Sequence, residues 1–189
     1  GHLVAIRPPA HRRTAQAIAI VAIGFLALRL AVTTMVFGEI AERQQHELAA
    51  LAAIPDGASV LALVDRPCDQ WATPRTEHLP SLLIPRRHAF VNSQWAIYGQ
   101  QLLSVRRADV GPFAEDPSQI VGPPQCDYVT TTRLPDAVAR FNRSAFTHVW
   151  TIGIPARALS RDLRPIWSDG RSAVYAVAQP KPVSYRPRP

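Results

Sequence analysis

Between Thr14 and Gly38 the chain is apolar on every side of a helical wheel, and TAQAIAIVAIGFLALRLAVTTMVFG carries a single charge, Arg29. About 20 such residues cross the ~30 Å hydrocarbon layer as a helix, and lipid leaves backbone amides no partners but one another. The pattern predicts a transmembrane helix over 14–38. A cleaved signal peptide would have a shorter apolar run and a small-residue cleavage site, and TTMVFGEIAERQ offers no A-x-A pattern. A core helix of a soluble protein rarely stays apolar on all faces for this length. Arg7, Arg12 and Arg13 precede the run, whereas Glu39 and Glu42 follow it before Arg43. The positive-inside rule therefore makes 1–13 a cytoplasmic flank and puts everything after Gly38 outside. For a bacterial inner-membrane protein that exterior is the periplasm. Arg29 costs ~2.5–3.5 kcal/mol within a span unless it snorkels to the outer interface or faces sibling helices.

Beyond the span, Ile40, Leu48, Leu51 and Ile54 fall on one side of a juxtamembrane helix over 39–54, which Pro55-Asp56-Gly57 ends in a turn. SVLALVD, Ser59 to Asp65, is a short apolar run of buried-strand type. Further strands are expected at His88–Ser93, Gln101–Arg106, Asp127–Thr131 and Phe146–Ile152, with a loop over 109–125. Short helices are expected at Leu134–Phe141, capped near Asp136 or earlier, and at Pro155–Asp162. Ser168-Asp169-Gly170-Arg171 lies between two β-forming runs, and Asp-Gly supplies the positive φ of a tight hairpin turn. The expected architecture is α/β: one N-terminal transmembrane helix, then a small two-layer or three-layer α/β domain over 55–180 ending in a β-hairpin. The proline-rich 181–189 lacks a periodic apolar face and is expected to be a disordered tail.

The formal charge of +7 would point to nucleic acid if the basic residues were clustered. They are dispersed, and Lys181 is the only lysine among arginines, so no nucleic-acid partner is expected. Gly1 opens the chain without an initiator methionine, consistent with a piece of a larger protein.

Cys68 and Cys126 are the only cysteines. In an exported domain they are a candidate disulfide, adding about 4 kcal/mol by the chain-entropy model. Two reduced, buried cysteines are the alternative. Neither lies in a C-x-x-C motif, which leaves a redox centre or zinc site unsupported.

The densest polar stretch runs from Glu77 to Leu103. His78, Arg86 and Arg87 are candidates for an anionic pocket, since guanidinium pairs grip phosphate or carboxylate bidentately. Asn92, Trp95 and Tyr98 complete the candidate ligand-binding set, the aromatics offering faces for a sugar. The alternative is that these arginines satisfy backbone carbonyls and Asp65 or Asp69. His46, His78, His88 and His148 lack metal-ligand spacing, and no G-x-S-x-G, P-loop or G-x-G-x-x-G is present. His148, alone in its strand, reads as a sheet histidine. No catalytic residue, metal or cofactor is assigned.

The order of features carries a resemblance. A terminal membrane helix, helix-PDG-strand over Ala49–Asp65, the HLPSLLIPRRHAFVN segment and the WSDGRSAVYAV hairpin together resemble the C-terminal exterior domain of bacterial polytopic membrane proteins. These are similar to GT-C superfold glycosyltransferases of the protein mannosyltransferase and arabinosyltransferase groups. The resemblance implies a parent enzyme using a polyprenyl-phosphate sugar donor, with its catalytic aspartate in a loop that has no counterpart here. It implies an accessory domain, inactive alone, with the lipid bilayer and upstream transmembrane helices of the same protein as partners and a polyprenyl-phosphate sugar or glycan as ligand. A single-pass anchored binding or scaffold domain of the envelope, with no enzymatic role, is the competing reading.

Overall fold

A computed structural model describes residues 12–66, 76–96, 99–122, 132–157 and 159–178. The chain divides into two compact units, Gly1–Arg43 and Gln44–Pro189. In the first unit, helix α1 begins at Arg12, and it runs on to Leu48 in the second. Every described side chain from Arg12 to Glu39 is exposed, including Ile20, Val21, Ile23 and Phe25. By length and composition this helix is long and apolar enough to cross a membrane.

Among its described residues, the second unit holds a mixed six-stranded sheet. Its centre is β1 (Ser59–Asp65), which pairs in parallel with β4 (His148–Ile152) along one edge. Two short strands share the other edge, also in parallel: β2 (Phe90–Val91) opposite Ser59 and Val60, and β3 (Ile120–Val121) opposite Val64 and Asp65. Beyond β4 the order continues through β6 (Ala173–Val177) to β5 (Leu163–Ser168), both steps antiparallel. The expected hairpin is therefore β5–β6, and the carboxylate of Asp169 accepts hydrogen bonds from the backbone amides of Arg171 (2.8 Å) and Ser172 (2.7 Å) in its turn.

Alternation along β1 divides the core. Leu61 and Leu63 lie with Val149, Tyr175, Phe113, Phe141 and Phe146, and with Ala137 and Val138 of helix α3 (Leu134–Arg140). Val60, Ala62 and Val64 lie with Trp150, Ile152 and Val174, with Ala50, Leu51 and Ile54 of the segment after α1, and with Leu83 of helix α2 (Leu83–Arg87). A strand covered on both faces has no solvent side, so SVLALVD is continuously apolar rather than alternating. Each such Leu or Val contributes ~1.5–3 kcal/mol by leaving water.

Several expectations require correction. The helix expected over 39–54 ends as α-helix at Leu48 and continues as a 3-10 turn, Ala49–Ala53. The strand expected at His88–Ser93 shrinks to two residues, because His88 (φ 47°) takes a left-handed conformation that closes α2. Gln101–Arg106 forms no strand, since β2 and β3 already occupy the edge of β1. The 109–125 loop contains most of a 3-10 segment, Ala108–Phe113, and strand β3. Pro155–Asp162 is not helical among its described residues: the backbone N–H and C=O of Arg157 are both bonded to the Tyr175 hydroxyl (3.2 and 3.1 Å). Helix α3 starts at Leu134 and ends at Arg140; its N-cap, Arg133, makes no side-chain cap bond, and Pro135 stands in the first turn, where proline forfeits no helical bond. The strand expected at Asp127–Thr131, both cysteines and the tail lie outside the described residues.

Candidate functional site

The Glu77–Leu103 stretch crosses the β2–β3 edge of the sheet, and its side chains part company there. Arg87, in the last turn of α2, donates through Nε to the Leu51 carbonyl (3.0 Å) and through Nη1 to Asp56 Oδ1 (3.2 Å). It ties α2 to the turn before β1. Arg86 is exposed on the same short helix. Asn92 is fully buried, with its amide beside the backbone of Ala62. His78 stacks on Trp95, ring centroids 5.5 Å apart and 13° from parallel, with Nδ1 3.8 Å from Asp116 Oδ1. Tyr98 lies outside the described residues. Of the six candidate residues, the structure thus brings together His78 and Trp95, while Arg87 and Asn92 hold the fold.

Around His78 the chain forms a knot of polar contacts. Asp116 N donates to the Gln94 carbonyl (3.0 Å), and the fully buried Gln119 donates through Nε2 to Asp116 Oδ1. Asn92 Nδ2 donates to Ser118 Oγ (3.2 Å), and the hydroxyls of Ser81 and Ser93 lie 2.9 Å apart. Donor atoms of Glu77, His78 and Asp116 all lie within 4.8 Å of one another.

A second feature sits at the carboxyl ends of the parallel strands. A cavity of about 400 Å³ is lined by Asp65 at the end of β1, Val121 and Gly122 at the end of β3, Gly153 and Ile154 after β4, Arg133 before α3, and Arg157. Open sheets with parallel strands bind ligands in this crevice, because backbone ends and loops converge there. Gly153 takes φ +72°, and a Cβ at that position would stand 3.4 Å from Asp65 Cβ. Burial pushes the Asp65 carboxyl above the ordinary aspartate range. Two guanidinium-bearing residues and one carboxylate around a mainly apolar wall suit a small molecule with an anionic group and a hydroxyl or amine. Sequence reasoning left Asp65, Arg133 and Arg157 outside the site, and the only signal was Asp65 ending a buried apolar strand.

Arg107 and Arg143 make charged contacts that brace the fold. At the amino ends of β1 and β4, Arg107 donates to Ser59 Oγ (3.0 Å) and the Ala145 carbonyl (2.9 Å), pairs with Asp109, and lies 4.9 Å from the centroid of the Phe90 ring. Arg143 pairs with Asp162 (2.7 Å) and donates to the carbonyls of Val138 (2.6 Å) and Phe141 (3.1 Å), where α3 ends. Hydrogen bonds from these arginines hold the Asp109 and Asp162 carboxyls below their usual range.

No protein-family model, curated protein or solved structure matches this chain.

Proposed function

We propose that the chain is the membrane-anchored exterior part of a bacterial envelope protein, with Thr14–Gly38 spanning the inner membrane and the domain over 55–180 in the periplasm. The single observation that carries this reading is α1: an apolar helix whose described side chains from Arg12 to Glu39 are all exposed, with the basic residues on its amino-terminal side. Large unbroken apolar exposure marks a surface that meets lipid or other helices.

Within that setting the domain is an accessory part of a GT-C-like glycosyltransferase that uses a polyprenyl-phosphate sugar donor. Its sheet, whose central strand β1 is covered on both faces, serves as a support. In support of the accessory role, three of its arginines, Arg87, Arg107 and Arg143, bind backbone carbonyls and carboxylates of the fold itself.

The test is the native protein, extracted from membranes with detergent and captured by an antibody to Ser59–Ala178. An intact mass far above 20.8 kDa, with the epitope digested by protease added to spheroplasts, is the expected result. A mass close to that value would overturn the transferase reading in favour of a single-pass envelope domain. Recovery in the soluble fraction would overturn the anchor itself.

A further inference from the structure

The histidine spacing contains no metal motif, yet the fold brings Asp116 to the adjacent pair Glu77 and His78, 38 residues away from the nearer of them. Glu77 and His78 precede the 3-10 turn Leu79–Leu82, and Asp116 stands in the turn before β3. The pairing of β2 and β3 on one edge of β1 is what brings the two segments together. One imidazole nitrogen and two carboxylate oxygens then lie within 4.8 Å of one another. Ligands bound to one ion at about 2.0–2.2 Å stand no more than about 4.4 Å apart, so small side-chain rotations close the set.

Three further observations point to a cation. Two carboxylates at this separation repel each other, and a divalent ion between them turns that repulsion into attraction. The ligands are held from behind: His78 by its stack on Trp95, and the Asp116 carboxylate by the Gln119 amide, while the Asp116 backbone is fixed by its N–H bond to the Gln94 carbonyl. Gln119 is fully buried with its amide turned onto Asp116, and its Oε1 has no hydrogen-bond partner among the described residues. A fully buried, half-satisfied amide is costly to place there and is suited to orienting a ligating carboxylate.

We propose that Glu77, His78 and Asp116 form a binding site for a first-row divalent cation, zinc or manganese, that clamps the 76–82 segment to the turn before β3. Imidazole favours zinc over calcium or magnesium, and the two carboxylates admit manganese. The His78 side chain is 50% exposed, which leaves the solvent side of the ion to water. This proposal stands independently of the membrane and transferase readings.

The experiment uses the full chain without an affinity tag, in detergent micelles, stripped with EDTA and retitrated. Zinc is followed by calorimetry and manganese by loss of its free-ion electron paramagnetic resonance signal. The wild type is expected to bind one equivalent at this site, and Glu77→Gln and His78→Ala are each expected to weaken it about 10-fold or more. Glu77→Gln also serves as the conservative control if His78→Ala disturbs the fold through loss of the Trp95 stack. Unchanged stoichiometry and affinity in both variants would overturn the proposal and assign the metal to other histidines. Absence of saturable binding in the wild type would overturn it equally.

Discussion

The side-chain amide of Asn92 acts as a missing piece of strand for Ala62: Oδ1 accepts from Ala62 N at 2.7 Å, and Nδ2 donates to Ala62 O at 3.2 Å. Strands β2 and β3 each cover only one end of β1, and Ala62 falls in the gap between them. Both backbone groups are buried and would otherwise be unpaired. A polar residue that sequence alone offers as a ligand contact thus completes a hydrogen-bonding ladder.

Asn92→Ala is expected to destabilise the domain by about 2–4 kcal/mol, because it strands a buried donor and a buried acceptor. Asn92→Asp removes only the donor but introduces a buried carboxylate, and is expected to be at least as damaging. Urea unfolding of the detergent-solubilised chain, followed by tryptophan fluorescence, measures both. Unchanged midpoints would mean that water replaces the amide.

Trp150 is fully buried, and its Nε1 has no hydrogen-bond partner among the described residues. Trp150→Phe trades lost contact area against removal of an unpaired donor, and is expected to cost less than about 1.5 kcal/mol. Trp150→Ala leaves a cavity and is expected to cost about 3–5 kcal/mol. The ratio of the two losses, read from the same urea curves, separates these terms.

Ser172 Oγ donates to the buried Glu47 Oε1 (2.7 Å) and accepts from Gly153 N (3.0 Å), joining the end of α1 to the turn after β4. Ser172→Ala is expected to cost about 1–3 kcal/mol. Ser172→Cys keeps a weak donor and should fall between alanine and wild type in a thermal melt.

Two pH windows should contribute to the loss of stability as pH falls. Burial lowers the His148 pKa, so the unfolded chain takes up a proton first as pH falls. That contribution is complete above about pH 6.5 and is lost as pH falls through the folded-state value. The Asp109 and Asp162 carboxyls are depressed by hydrogen bonds from Arg107 and Arg143 respectively. Their contribution is present above about pH 4 and is lost as pH falls through their lowered values. Asp65 acts in the opposite sense: its raised pKa favours the folded state when protonated, and that gain fades as pH rises through the folded value. In unfolding midpoints taken across this range, His148→Gln should remove the upper slope, and Asp65→Asn should leave the domain at least as stable at neutral pH.

Elements with a strong local cause were legible in the sequence. The α1 run, the doubly covered β1 and the Asp169-Gly170 hairpin each follow from an apolar pattern or a turn residue. Elements decided by distant partners were not. β2 and β3 are two residues each, too short for a periodic signal, and exist because β1 offers an edge. Leu102 and Leu103 lie in a run read as a strand but remain exposed outside the sheet. Arg157 fails to continue a helix because the Tyr175 hydroxyl holds its backbone. The candidate site was legible only as a rich segment: His78 and Trp95 meet, but the sequence carries no sign that Asp116 would join them.

At the far side of the sheet, β5 is an edge strand with Pro165 inside it, Arg164 beside it, and an irregularity between Pro165 and Trp167. Proline offers no donor there, and the broken register gives a second copy no straight ladder to copy. Many copies confined to one membrane surface would collide far more often than the same molecules in bulk solution. The misfit at Pro165 therefore disfavours edge-to-edge addition of a second copy of the sheet, at any local concentration.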